Sequence, residues 1–183
     1  MKHLSLIIIA FICEVSLAAP RVLKQEVGEV RFIATGNPGF LKIEGHGKEA
    51  KPTGSVEILA GVASGSIEVP LASLETGIAL RDKHMKEKYL KTNQFPKAVF
   101  RFENQPLPKD FEIGRSSLKD HPIKGTIEIA GVSHSLTVPM NIDSSGIATT
   151  QFEINLNDFK IGVPSFMGVT VAEKVKIFIK TQL

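Results

Sequence analysis

Side-chain polarity alternates residue by residue along most of this chain, and that pattern restricts the fold more than any other feature. Val30, Phe32 and Ala34 alternate with Arg31 and Ile33, and Leu41 and Ile43 alternate with Lys42 and Glu44. The same two-residue period returns at Ile67–Leu71, Ala98–Phe102, Ile127–Ile129, Leu136–Met140, Phe152–Leu156 and Val175–Ile179. Successive side chains of an extended strand point to opposite faces, so each stripe makes one face dry and the other wet, as in antiparallel sheet. About eight such strands in one domain predict a sandwich or a barrel. Gly36-Asn37-Pro38-Gly39 and Ala130-Gly131 supply turns between stripes. One segment breaks the rule: Leu80–Lys91 lacks alternation and is rich in helix formers, which predicts a short helix ending before Asn93 and Pro96.

The first 18 residues follow a different logic. Lys2 precedes an apolar run from Leu4 to Cys13, and Ser16-Leu17-Ala18 places small residues where a signal peptidase inspects them. The expectation is a cleaved export signal over residues 1–18, with the mature domain beginning at Ala19 and running to Leu183. Cleavage removes Cys13, the only cysteine, and leaves the net charge of +3 unchanged because Lys2 and Glu14 depart together. The mature chain then has no disulfide, cysteine nucleophile or thiolate metal site. It also has no run of about 18 apolar residues, so no transmembrane segment is expected in it.

The chemical inventory is thin. His46, His84, His121 and His134 show no metal-ligand spacing, so no metal is expected. No serine sits in a nucleophile motif and no glycine loop has phosphate-binding spacing, which predicts no catalytic residues. The enzyme alternative would use His84 as base with Asp82 as orienter, but side chains at i and i+2 of a helix point apart. Arg81, His84, Lys88 and Lys91 share one helical face beside Met85 and Tyr89. That stripe is either a solvated surface or a cationic rim for an anionic head group. It is too short, and too poor in interleaved aromatics, for nucleic acid. Eleven Phe against one Tyr and no Trp add apolar area without a polar handle. An eight-stranded barrel of such composition is either filled by its side chains or holds one small ligand.

Three segments resemble the YceI-like family of secreted, lipocalin-like lipid-binding domains. The first carries Leu74-Glu75-Thr76-Gly77, then Arg81-Asp82-Lys83-His84-Met85, then Pro96 and Phe100. The second is the hairpin Gly125, Ile127, Ile129, Gly131-Val132, followed by Leu136 and Val138-Pro139. The third pairs Phe152–Gly162 with Val171–Ile179. Where many members have Arg and then Asp-Phe-Gly, this chain has Leu156 and then Asp158-Phe159-Lys160, with glycine delayed to Gly162; Ala34 to Gly36 stand where many place a histidine.

The resemblance implies an all-β fold with one short helix, an extended antiparallel lipocalin-like β-barrel of about eight strands. It implies a non-catalytic domain that sequesters or transports an apolar amphiphile, a polyisoprenoid, isoprenoid quinone or fatty-acid-like lipid, with no required cofactor. The tail would lie among Phe32, Phe100, Phe102, Ile127, Ile129, Phe152 and Ile154. Arg81, His84 and Lys88 would form the head-group rim, and Phe166 and Met167 a portal lip. Secretion to the periplasm is the corresponding location. The alternative is an envelope- or stress-associated structural or interaction module with a filled core; a homodimer is compatible with either.

Overall fold

The computed structural model describes residues 21–183 except 23, 38, 48–50 and 167, and the proposed signal segment 1–18 lies outside the described residues. Twelve strands follow in chain order: β1 (Arg21–Val22), β2 (Lys24–Asn37), β3 (Lys42–Gly47), β4 (Thr53–Leu59), β5 (Val62–Pro70), β6 (Leu74–Glu75), β7 (Lys97–Pro106), β8 (Leu118–Ile129), β9 (Val132–Ile142), β10 (Ile147–Asn155), β11 (Ser165–Phe166) and β12 (Val169–Gln182). All pairings are antiparallel, in the order β1-β4-β5-β7-β8-β9-β10-β12-β2-β3-β6, with β11 folded back on β12. The sheet curls so that every predicted stripe faces one interior, giving a lipocalin-like half-barrel. Its two margins are linked by the chain itself: β1 on one margin leads into β2 near the other, and β5 reaches β6 through a 3-10 turn at Leu71–Ser73.

The strand count exceeds the expected eight for a physical reason. β1, β6 and β11 are two residues each, too short to show a period. β4 reads Thr-Gly-Ser-Val-Glu-Ile-Leu, and only Val56 and Ile58 of its residues mark an inner face. The helix begins as predicted, α1 spanning Ala79–His84, but continues as a π-helical turn over Met85–Tyr89. Leu90 N–H donates to the Met85 carbonyl at 2.9 Å, and Lys91 in the left-handed region (φ 50°) stops the winding. Among the described residues no helix is long and apolar enough to cross a membrane.

Two hairpins close on Ala-Gly pairs with both residues at positive φ, Ala60-Gly61 (50°, 78°) and Ala130-Gly131 (51°, 77°). Such two-residue turns match the twist of the flanking strands, and glycine adopts them without strain. Alanine in the left-handed region costs about 1–2 kcal/mol, and asparagine tolerates it better. The β9–β10 turn is held differently: Asp143 Oδ1 accepts from Ser145 N, Ser145 Oγ and Ile147 N. These bonds, the Ser145 hydroxyl first and the Ile147 amide next, hold the Asp143 carboxyl below its ordinary value. Their contribution is therefore present above that ordinary value and is lost as pH falls through the lower, folded one.

Ala60→Asn and Ala130→Asn are each expected to raise unfolding stability by up to about 1 kcal/mol in urea titration. Gly131→Ala should lower it by more than about 1 kcal/mol, since a Cβ there would lie 2.4 Å from the Phe95 ring at a φ of +77°.

Candidate ligand-binding cavity

The interior is not filled. It holds two abutting chambers, an inner one of about 140 Å³ and one beside the helix of about 420 Å³. The inner chamber runs from Val69 and Ala98 to Leu107, Phe111, Leu118, Ile142 and Leu183, where the loop after β7 covers its far end. The helix-side chamber is enclosed by β2, β3 and β12, by Arg81, His84, Met85 and Tyr89, and by Leu156 and Ile161 near a 3-10 turn at Leu156–Phe159. Phe32, Leu71, Leu74, Ile129 and Ile177 line both chambers and form the waist between them.

Space survives inside a phenylalanine-rich wall because the rings lie over glycines. Phe32 pairs in register with Gly45 across β2 and β3, and a Cβ on Gly45 would come within 2.1 Å of the ring. Phe102 pairs with Gly65 across β7 and β5, where a Cβ would meet the ring at 2.9 Å. Phe100 covers Gly125 of β8, with the corresponding approach at 2.6 Å. Each ring thus occupies the volume that a neighbouring side chain would take, leaning on the wall instead of crossing the lumen. Phe100 and Phe102 also contact each other, their centroids 5.8 Å apart.

All seven residues named from the sequence for the apolar lining face this interior. Phe32, Phe100, Phe102, Ile127, Ile129 and Phe152 line the inner chamber, and Ile154 lines the helix-side one. The wall also includes residues of β4 and β9 beyond those seven, notably Val56, Ile58, Val138 and Met140. The alternation at Leu136–Met140 carried the β9 part of that signal; β4 offered too few alternating positions. Inward Thr150 satisfies its hydroxyl by donating to the Pro139 carbonyl at 2.7 Å. Thr181 Oγ1 is different: it is buried in the inner wall with no partner among the described residues.

The polar rim divides. Arg81 and His84 line the helix-side chamber together with Lys42, Thr76 and Tyr89. Lys88 does not line it; its ammonium lies over the Tyr89 ring, 5.2 Å from the centroid. The π-helical turn that starts at Met85 widens the winding, so the straight helical face drawn from Arg81 to Lys88 does not exist. Ser165 N–H donates to Tyr89 Oη at 3.2 Å, joining β11 to the helix at the chamber edge. Of the portal pair, Phe166 is described only by its backbone pairing with Val169, and Met167 lies outside the described residues.

Arg81 and Asp82 also lock the helix entry. Thr76 N–H donates to Asp82 Oδ1 at 2.7 Å, and its hydroxyl donates to the same oxygen. Arg81 Nε donates to Thr76 Oγ1 and Nη2 to the Thr76 carbonyl, both at 2.7 Å. The Thr-Gly turn and the Arg-Asp pair four residues beyond it therefore form one clamp, with Asp82 committed to structure. No group of three His, Cys, Asp or Glu side chains among the described residues is placed to hold a metal.

The model of the YceI-like domain matches residues 22–183. BcnA of Burkholderia cenocepacia is 18% identical, with 84% of this chain and 94% of that chain covered at a TM-score of 0.64. A polyisoprenoid binding domain from Saccharophagus degradans, described as implicated in plant cell wall breakdown, is 14% identical, with 87% and 95% covered at a TM-score of 0.64. The Campylobacter jejuni YCEI protein is 16% identical, with 77% and 84% covered at 0.57. No curated protein sequence matches. At these identities the solved structures establish a shared fold.

Gly45→Ala should force Phe32 into the waist and cost about 1–3 kcal/mol in urea unfolding, with Phe32→Leu in the same chain recovering part of the loss. Thr181→Val, which removes an unpaired buried hydroxyl at nearly constant volume, should raise stability by about 1 kcal/mol.

Proposed function

We propose, from the premise that the chain belongs to the YceI-like domain family, that it binds and carries a long-chain apolar amphiphile without transforming it. The observation that carries this reading is the pair of abutting chambers, lined by hydrocarbon side chains and joined at one waist. The larger chamber alone falls within the range of about 300–1,000 Å³ common to small-molecule sites. A filled structural core offers no such space, which favours the carrier over the interaction module. A tail would thread the waist past Phe32 and Ile177 into the inner chamber, losing its contact with water along Phe100, Phe102, Ile127, Ile129, Phe152 and Ile154. Burial at about 25 cal/mol per Å² supplies the affinity, and its lack of direction gives tolerance among polyisoprenoid, isoprenoid-quinone and fatty-acid-like tails.

The head group belongs at the helix-side chamber. Lys42, Arg81 and His84 line it, and no carboxylate does among the described residues. Arg81 uses Nε and Nη2 on Thr76, so its charge stays fixed at the rim by the same clamp that shapes the helix entry. An anionic or strongly hydrogen-bonding head is the complementary chemistry. Export through the proposed leader, residues 1–18, would place the carrier in the periplasm, and residues 19–183 would be its single domain.

Protein purified from its native envelope is expected to show a bound lipid by native mass spectrometry. Empty protein that also fails to bind added prenyl chains or fatty acids would sink the carrier reading. Ile177→Trp, which narrows the waist, should weaken long prenyl chains by about tenfold or more while weakening short chains less. Circular dichroism of the variant checks that the sheet is intact.

A further inference from the structure

Five large apolar side chains are conspicuously exposed among the described residues: Phe40 (80%), Leu80 (54%), Leu59 (45%), Ile78 (44%) and Val163 (41%). Four of them stand in or next to the lining of the helix-side chamber in the chain. Ile78 itself lines the helix-side chamber. Phe40 directly precedes Leu41 and Val163 directly precedes Pro164, and both of those neighbours line the same chamber. Leu80 sits on α1 four residues before His84, a lining residue, so the two are neighbours along the helix surface at the edge of the chamber-facing side. Scattered exposed leucines need no explanation, but a ring of apolar side chains around a hydrocarbon-lined mouth does.

We propose that this mouth docks on an anionic lipid bilayer, Phe40, Ile78, Leu80 and Val163 entering its interfacial layer while Lys42 and Arg81 face the head groups. The proposal rests on the carrier reading and adds where the cargo enters. Two features select a bilayer over a protein partner. The apolar ring is continuous with a chamber of hydrocarbon character, so a tail could pass from membrane to lumen without crossing water. The ionisable residues lining the chamber are Lys42, Arg81, His84 and Tyr89, and with the Asp82 carboxylate held on Thr76 beside Arg81 the balance is still basic, which complements an anionic surface. Neither basic groups nor exposed apolar residues alone would hold the protein there firmly; together they give the two-signal attachment that stable membrane contact needs.

Leu59 provides an internal control. It flanks the Ala60-Gly61 turn, whose Gly61 carbonyl accepts from Leu107 N–H at 2.8 Å, and Leu107 lines the inner chamber at the far end from the helix. It is as exposed as Ile78 but belongs to the opposite pole.

The experiment is co-sedimentation of the full mature chain with vesicles of phosphatidylcholine alone or mixed with phosphatidylglycerol. The mixed vesicles should retain the wild type and the neutral ones much less. Phe40→Ser and the pair Ile78→Ser with Leu80→Ser should each reduce retention by about tenfold, and Leu59→Ser should leave it unchanged. All these side chains are exposed, and unchanged unfolding curves confirm the fold. A second readout keeps docking separate from cargo binding: detergent-presented fatty acid should load equally into wild type and Phe40→Ser, while transfer out of vesicles slows in the variant. Equal loss in Leu59→Ser, or retention indifferent to Phe40, overturns the proposal and leaves only diffuse charge attraction. A monomer–dimer equilibrium abolished by Phe40→Ser overturns it in favour of a second copy as the occupant. Loading from detergent without any vesicle binding removes this inference and spares the carrier; no loading at all removes both.

Discussion

An apolar barrel interior closes on itself unless something keeps the side chains against the wall. Here that constraint is the placement of phenylalanine over glycine across neighbouring strands. Phe32 on Gly45, Phe102 on Gly65 and Phe100 on Gly125 let three large rings contribute area without spending lumen. Close packing would otherwise favour filling the space with side chains, because an empty apolar volume forfeits dispersion contacts on every wall. The same placement defines the waist, since Phe32 lines both chambers. Cavity, waist and lining therefore share one cause.

The second organising element is Thr76. Its amide, hydroxyl and carbonyl are all taken by Arg81 and Asp82, and this clamp fixes how the chain leaves β6 and enters α1. The helix is only six regular residues long, too short to be stable by propensity alone, so its position depends on such tertiary ties. A consequence is that the rim cation Arg81 is oriented by the backbone turn that precedes it. The Arg-Asp motif is structural first, and any role toward a head group is exercised from a fixed position.

The alternating stripes made the sheet legible in advance, and the apolar lining with it. Where the pattern breaks, the sequence carries less: β4 has too few alternating positions to mark a strand, and two-residue strands are too short to show a period. Uniform helical winding groups Lys88 with Arg81 and His84, whereas the local change to π-helical bonding leaves its ammonium over Tyr89. Nothing in Met85–Tyr89 announces that change, because all five residues suit an ordinary helix. Lys160 is a milder case: it adopts φ 56° at the position where the resemblance expects glycine, a backbone demand that the substituted residue conceals.

By itself, the sequence determined that most of the chain would be an antiparallel sheet with one dry face and a short helical insertion, because side-chain period is a local property of the strand. It also supplied no nucleophile motif. Only the tertiary structure decided that the dry face encloses two chambers instead of a packed core. Volume inside a barrel depends on which residues meet across strands, and Phe100 and Gly125, or Phe102 and Gly65, are distant in the chain. It likewise brought Ile78 and the neighbours of Phe40 and Val163, Leu41 and Pro164, from three separate segments into the lining of one chamber. Local polarity fixes which side chains avoid water; register and curvature fix what they surround.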